Sequence, residues 1–400
     1  MRRKILAPIG KIVLSEKNEL DSRAQYKKKI LFVSHDTSFY GASRSLQLVL
    51  VNSSGNLSLL LPRSFFVPNA DTREISKNMN IPESSVYWDF LPHSTCWLGF
   101  PRGSRPRMAS LVRETIWRLH RKKFYDWLGQ MKFDTIHLNS LTLYPLIDKR
   151  FKFILHIRER FDGGSAHRKD VKEKVGAASG VIFIDQITRN LLSDLRLKNS
   201  IILPNPIDME SCLNGRTAEK SAQELKISIE GKTVFSVIGR VDFEDKGIDF
   251  IIQNFKKINN DKISLLIFGA GDRDQEEKAR RLAESDSRIH FCGPVYDQGL
   301  IYSVTDIVLR AESRFSLGRT VFEGLYSGCQ VLLPGQNEEI QKNAELEGFG
   351  DQVHFYTPRS DSDFAEKIKG LVGHKRQTLR NPASNLEDYL DRFYGFLDQI

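Results

Sequence analysis

Two cations six residues apart, Arg240 and Lys246, lie in the polar stretch GRVDFEDKG. An arginine fork and a lysine point charge meet phosphate oxygens well without help from a divalent metal. Asp242, Glu244 and Asp245 share the stretch, so local ion pairing is the competing use of both charges. Gly318, Arg319 and Thr320 precede VFEGLYSG, which reads as a helix. Backbone N–H groups at a helix start form an anion site, whether or not a ligand occupies it. Glu323 follows one turn in. A carboxylate there can accept from two hydroxyls at once, or it can be an ordinary exposed helix glutamate. His156, in KFILHIRE, is either a hydrogen-bonding group for a ligand or a structural side chain. His137, in IHLNS, is the lesser candidate of the same kind. Asp272 and Asp274 bracket Arg273. Two carboxylates alone fall short of a six-coordinate Mg2+ site, so no metal is expected there.

Elements must hold these residues. KKKILFVSH is followed by the polar turn DTSFYGAS and then by SLQLVLVN with helical spacing. Strand, turn and helix in that order open an α/β unit. The order recurs from Gly231, as GKTVFSVIGR, DFEDKG and IDFIIQNFKKI. FDTIHLNS, KFILHIRE, GVIFID, SIILPN, ISLLIFGAG, IHFCG, DIVLRA and QVLLPG are further strand-like runs. Short apolar runs between turn signals are how strands of a doubly covered parallel sheet read. Two tandem α/β domains follow from this. The expected division is a basic leader over 1–28, an N-terminal domain over 29–205, a C-terminal domain over 206–382 and a closing helix over 383–400. Pro204 and Pro206 flank Asn205 and stiffen the linker.

The chain has 400 residues, of which 40% are hydrophobic and 27% charged. That is globular usage and excludes a disordered chain, a collagen or a disulfide scaffold. No run of 18 apolar residues offers a spanning helix. Cys96, Cys212, Cys292 and Cys329 form no CxxC pair, which fits a reduced, cytoplasmic protein without a zinc site. Lys11 interrupts the apolar part of MRRKILAPIGKIVL, and no small-residue cleavage site follows. The segment reads as a basic amphipathic leader or a flexible tail, not a signal peptide. Residues 1–205 carry 34 Lys+Arg and 18 Asp+Glu, a net of +16, whereas 206–400 carry 25 and 32, a net of −7. One half therefore faces a polyanion or an anionic membrane, or the two halves attract each other. Residues 102–123 hold eight Lys or Arg and only Glu114 as an acid. Leu111, Val112, Trp117, Leu119, Phe124 and Trp127 supply the apolar content. A basic amphipathic helix over 102–128 is a membrane-surface element; a core-packed helix with a solvated outer face is the alternative. Nucleic acid is not expected as a partner, since no recognition fold or base-stacking pattern is legible.

FVSHDTSFYGASRSL (32–46), HIRE (156–159), LPNPID (203–208), IGRVDFEDKGID (238–249), IFGAGD (267–272), FCGPVYD (291–297) and LGRTVFEGLYSGCQVLLPG (317–335) occur in this order. Together they resemble the retaining family-4 glycosyltransferases of GT-B fold, from about Lys28 to at least Gly335. The resemblance implies an α/β architecture of two Rossmann-like domains with parallel sheets facing across a cleft. It implies a nucleotide-diphosphate sugar as donor substrate, bound mainly by the C-terminal domain, and no cofactor or metal. Arg240 and Lys246 match the family's basic pair on the diphosphate, which Gly318, Arg319 and Thr320 hold from the other side. Glu323 matches the glutamate that accepts from the ribose hydroxyls. Gly41 and Ala42 match the small residues that let backbone amides approach the donor, with Arg44 and Ser45 extending that site to the acceptor. His156 matches a histidine near the transferred sugar, with Arg158 and Glu159 flanking the cleft. One position departs from the pattern. Phe315 stands eight residues before Glu323, where the family usually carries a second glutamate. Phenylalanine cannot accept a hydrogen bond, so backbone amides near Ser316 and Leu317 read the sugar, or the donor is a deoxy sugar.

The expected activity is metal-independent hexosyl or deoxyhexosyl transfer to a glycan or lipid-linked acceptor, with retention, in bacterial surface polysaccharide synthesis (lipopolysaccharide or capsule). The expected location is cytoplasmic, or peripheral on the inner face of the plasma membrane through 102–128. The alternative is a non-catalytic GT-B-like subunit that binds nucleotide sugar or polyanion in a synthase complex.

Overall fold

The computed structural model describes residues 24–36, 41–63, 71–92, 107–159, 168–208, 212, 215–284, 286–312, 317–335, 344–377 and 385–400. The chain divides into two units, Met1–Pro206 with Glu387–Ile400, and Ile207–Leu386. No described helix is long and apolar enough to cross a membrane.

The N-terminal unit is built on seven strands: β1 (Ala24–Val33), β2 (Ser53–Pro62), β3 (Val86–Asp89), β4 (Thr135–Leu138), β5 (Phe153–Ile157), β6 (Gly180–Phe183) and β7 (Ser200–Ile202). All pairs are parallel, in the order β3-β2-β1-β4-β5-β6-β7. The chain goes outward from β1 to β3 and then returns to β1's other side with β4. That reversal is a topological switch point, outside which open α/β sheets bind their ligands. Ile30, Leu31, Phe32 and Val33 are all fully buried, as expected for a strand covered on both faces.

Strand β1 starts inside the segment that the basic run marks as leader. Ala24, Gln25 and Tyr26 pair with Ser53, Ser54 and Gly55, and the register shifts before Ile30. The lysines fit because their charges find partners: Lys28 bridges Asp398 at 2.8 Å, and the Lys29 ammonium donates to the Met131 carbonyl at 2.7 Å. Residues 1–23, the greater part of the expected leader, lie outside the described residues.

The C-terminal unit repeats the plan with β8 (Thr233–Ile238), β9 (Ile263–Phe268), β10 (Ile289–Gly293), β11 (Ile307–Leu309), β12 (Gln330–Pro334) and β13 (Val353–Tyr356). Their order is β10-β9-β8-β11-β12-β13, again all parallel. Its switch point lies between β8 and β11. Two parallel α/β sheets are what the sequence predicts.

Five helices matter for the sites: α1 (Gly41–Val51), α2 (Arg107–Met131), α3 (Ile248–Lys256), α4 (Arg319–Tyr326) and α5 (Asn385–Gln399). Helix α5 packs on the N-terminal unit although it follows the C-terminal one in sequence. Phe393, 1% exposed, stacks on Phe32 at 6.3 Å and meets His137 edge-on at 5.3 Å.

Candidate functional site

In the C-terminal unit, three segments meet at the carboxyl ends of β8 and β11. Lys246 and Gly247 precede α3. Gly247 has φ +63°, and a Cβ there would overlap the Ala311 carbonyl. Only glycine permits that approach, which brings Lys246 against the residues that follow β11. The Lys246 ammonium reaches Glu312 Oε1 at 3.1 Å. Arg310 donates to the same oxygen through Nε at 2.6 Å and to Thr320 Oγ1 through Nη1 at 2.8 Å. Arg310 and Glu312 are both buried. Burial alone would push the Glu312 carboxyl up, but the Arg310 and Lys246 charges outweigh it and hold it at about 2. Lys246 thus pairs with neither Asp242 nor Glu244 in the described contacts; its partner comes from another strand end.

The next turn is a second buried polar cluster. Glu323 is 4% exposed, which excludes the reading of an ordinary surface glutamate. It accepts from Gln298 Nε2 at 2.6 Å, Tyr302 Oη at 3.0 Å and Arg319 Nη2 at 2.9 Å. Burial and the Glu323 charge push the Tyr302 hydroxyl well above its usual range, so it stays a donor to the carboxylate. The Arg319 side chain is committed to Glu323, so at this helix start the groups suited to an anion are the backbone amides. Arg240, after β8, donates to Asp272 Oδ2 at 2.8 Å, and Asp242 stands at 3.9 Å. Both Arg240 and Asp272 are exposed. An exposed ion pair is worth only ~0–1 kcal/mol, so a phosphate can replace Asp272 at little cost. Phe315 and Ser316 lie outside the described residues.

In the N-terminal unit, Gly41 and Ala42 are the first residues of α1, not a loop before it; Gly41 has φ +52°. Arg44 is half-buried in the same turn and Ser45 fully buried. Arg158 ties this turn to its surroundings. Its guanidinium donates to Asn139 Oδ1 at 2.7 Å, Asn205 Oδ1 at 2.6 Å and the Tyr389 hydroxyl at 3.3 Å. Asn139 donates on to the Ala42 carbonyl, and Asn205 also accepts from Ser45 Oγ at 3.1 Å. Glu159 accepts from the Leu141 amide at 3.0 Å. His156 does not reach the surface. It has no exposure, and its Nδ1 lies 3.3 Å from His137 Nε2.

Burial, with the Arg158 charge, pushes both histidines well below their usual range. They stay neutral in the folded unit while unfolded histidines protonate near pH 6.5. The unfolded state then binds more protons as pH falls, so the histidines' contribution is complete above pH 6.5 and declines below it. Chemical denaturation is expected to show the N-terminal unit losing stability from pH 7 to pH 5, and His137→Asn/His156→Asn is expected to flatten that slope. An unaltered slope in the double variant would assign it to other groups.

Helix α2 has two characters. Trp117, Phe124, Tyr125 and Leu128 are buried in the core of the N-terminal unit. On the other side Arg118, Arg121, Lys122 and Lys123 are exposed, with Leu119 81% and Val112 46% exposed. The core-packed description fits the inner stripe but leaves Leu119 unexplained. Residues 102–106 of the basic segment lie outside the described residues. Among the described residues no group of three His, Cys, Asp or Glu could hold a metal.

Sequence reasoning did not foresee Arg310, Asn139, Gln298 or Tyr302. The available signal was RAE straight after the buried strand IVL, where two opposite charges at a parallel strand's carboxyl end mark a place where ligands bind.

Residues 232–374, all within the C-terminal unit, match the family described as glycosyl transferases group 1. No curated protein matches the sequence. Among solved structures, Anabaena Alr3699/HepE in complex with UDP-glucose is 16% identical with a TM-score of 0.67, covering 93% of this chain and 100% of that one. The lipopolysaccharide outer core galactosyltransferase WaaB is 15% identical with a TM-score of 0.61, covering 93% and 99%. Sucrose-phosphate synthase from Thermosynechococcus elongatus is 13% identical with a TM-score of 0.61, covering 92% and 95%. At these identities the likeness concerns the fold, which is GT-B: two Rossmann-like α/β domains with parallel sheets.

Proposed function

We propose that this chain is a metal-independent, retaining glycosyltransferase that takes a sugar from a nucleotide-diphosphate donor. The observation that carries the reading is the coincidence of two things. The stretch matching glycosyl transferases group 1 is also the stretch whose β8 and β11 ends hold Lys246, the Gly318–Thr320 amides and buried Glu323. The leaving diphosphate gains negative charge as the glycosidic bond breaks. Fixed cations and amides stabilise that charge without reorganising. The acceptor hydroxyl attacks from the face the nucleotide leaves, and the departing phosphate takes its proton. No protein nucleophile is required. Positioning and charge stabilisation carry the rate.

The acceptor is a glycan or lipid-linked saccharide of bacterial surface polysaccharide synthesis, such as lipopolysaccharide or capsule. The structural neighbours HepE, in complex with UDP-glucose, and WaaB, a lipopolysaccharide galactosyltransferase, are in keeping with such a donor and product. The protein works at an anionic membrane surface, which the exposed basic face of α2 and Leu119 meet. Desolvating exposed Leu119 on lipid repays what water costs it. The non-catalytic alternative draws only on Phe315.

One assay tests these parts together. The protein is mixed in EDTA with α-linked sugar nucleotides and a lipid-linked saccharide in phosphatidylglycerol vesicles. The expected product is α-linked by proton NMR, and the protein sediments with the vesicles at low salt. A β-linked product would overturn retention. Protein left in the supernatant would overturn the membrane part, and binding without turnover would favour the non-catalytic subunit.

A further inference from the structure

Arg310 is a buried cation at the carboxyl end of β11, held by Glu312 and Thr320. A Cβ placed on Gly318 would lie 3.1 Å from Arg310 Nη1 and 3.3 Å from Nη2. The guanidinium therefore lies directly against the start of α4 and holds Thr320 Oγ1. Its backbone is fixed as well: the Arg310 amide donates to the Leu332 carbonyl at 3.0 Å, and its carbonyl accepts from the Tyr356 hydroxyl at 2.8 Å. Glu312 is the shared counterion of Arg310 and Lys246, and both bond to its Oε1. Glu312 Oε2 is buried and has no hydrogen-bond donor among the described residues. Two cations against one carboxylate leave the cluster with one net positive charge. A buried guanidinium is costly to desolvate, and a helix start needs no arginine beneath it for stability.

We propose that Arg310 is a third cation of the nucleoside-diphosphate site. It lies beneath the Gly318–Thr320 amides, coupled to Lys246 through Glu312. The inference rests on the donor reading above. Arg310 acts as an electrostatic support, without touching the diphosphate. Glu312 keeps both cations in place and tempers their charge.

An electrostatic role and a scaffolding role predict different signs. Arg310→Met lowers the cluster's net charge from one to zero and releases Lys246 wholly to Glu312. Glu312→Gln raises the net charge instead. Binding of UDP, GDP and dTDP, each beside its monophosphate, is measured by calorimetry in EDTA on wild type and variants. Arg310→Met is expected to weaken diphosphate binding about tenfold, a size set by one charge acting over several ångströms at intermediate dielectric. The monophosphate is expected to lose less. Arg310→Lys is expected to recover most of the loss. Glu312→Gln is expected to bind the diphosphate at least as tightly as wild type, even if it melts earlier. Equal weakening in Arg310→Met and Glu312→Gln would make the cluster a scaffold and overturn the proposal. So would unchanged diphosphate binding in Arg310→Met. If wild type binds none of the three diphosphates, the donor reading itself fails.

Discussion

Removing residues 385–400 is expected to unfold the N-terminal unit, although those residues follow the C-terminal unit in the chain. Tyr389, Leu390, Phe393, Tyr394, Phe396 and Leu397 are all buried. At about 1.5–3 kcal/mol for each large apolar side chain, their burial contributes on the order of 10 kcal/mol. That is comparable with the whole margin of a domain, about 5–15 kcal/mol. Arg392 also donates to the Ile202 carbonyl at 2.8 Å, and Lys28 would lose Asp398. The truncated protein is expected in inclusion bodies or as a state without cooperative unfolding. Phe393→Ala offers a graded version, with a loss of about 3–5 kcal/mol by urea denaturation. Asp391, exposed on the same helix, serves as control: Asp391→Ala is expected to change stability by less than about 0.5 kcal/mol. A truncated protein that melts like the full chain would show that α5 is dispensable.

The second large effect concerns Lys246. Lys246→Ala is expected to lower transfer by about 10²–10³-fold, the size seen when one preorganised charge-stabilising group is removed. Folding should be nearly unaffected, because Glu312 keeps Arg310 as counterion and Lys246 is only partly buried. Glu323→Gln differs. It leaves Arg319 buried without its carboxylate, so stability and donor binding fall together. A large loss of transfer at an unchanged melting temperature in Lys246→Ala separates the chemical role from the structural one. Equal activity in variant and wild type would remove Lys246 from the site.

Much of the architecture was legible because parallel strands buried on both faces leave short apolar runs between turns. GKTVFSVIGR and ISLLIFGAG correspond to β8 and β9. What resisted reading was long-range pairing. Nothing local in NLEDYLDRFYGFLDQI says which unit its apolar face will cover; only packing against Phe32 and His137 decides it. The start of β1 was hidden for a similar reason: a lysine run looks solvated until Met131 and Asp398 supply its partners. At the site, Arg240, Lys246, Gly318 and Glu323 stood out by residue type and spacing. Their supports did not, since Arg310 and Glu312 meet Lys246 from a strand end more than sixty residues away.

The C-terminal unit is proposed to bind a nucleotide-diphosphate sugar at Lys246, the α4 start and Glu323. The most direct measurement is a ligand-induced thermal shift with UDP, GDP and dTDP sugars in EDTA, repeated on Lys246→Ala and Glu323→Gln. A ligand at a hundred times its Kd stabilises by about 2.7 kcal/mol. A rise of several degrees is expected with one nucleotide, and little or none in either variant. No shift with any nucleotide, or a shift that both variants keep in full, would contradict it.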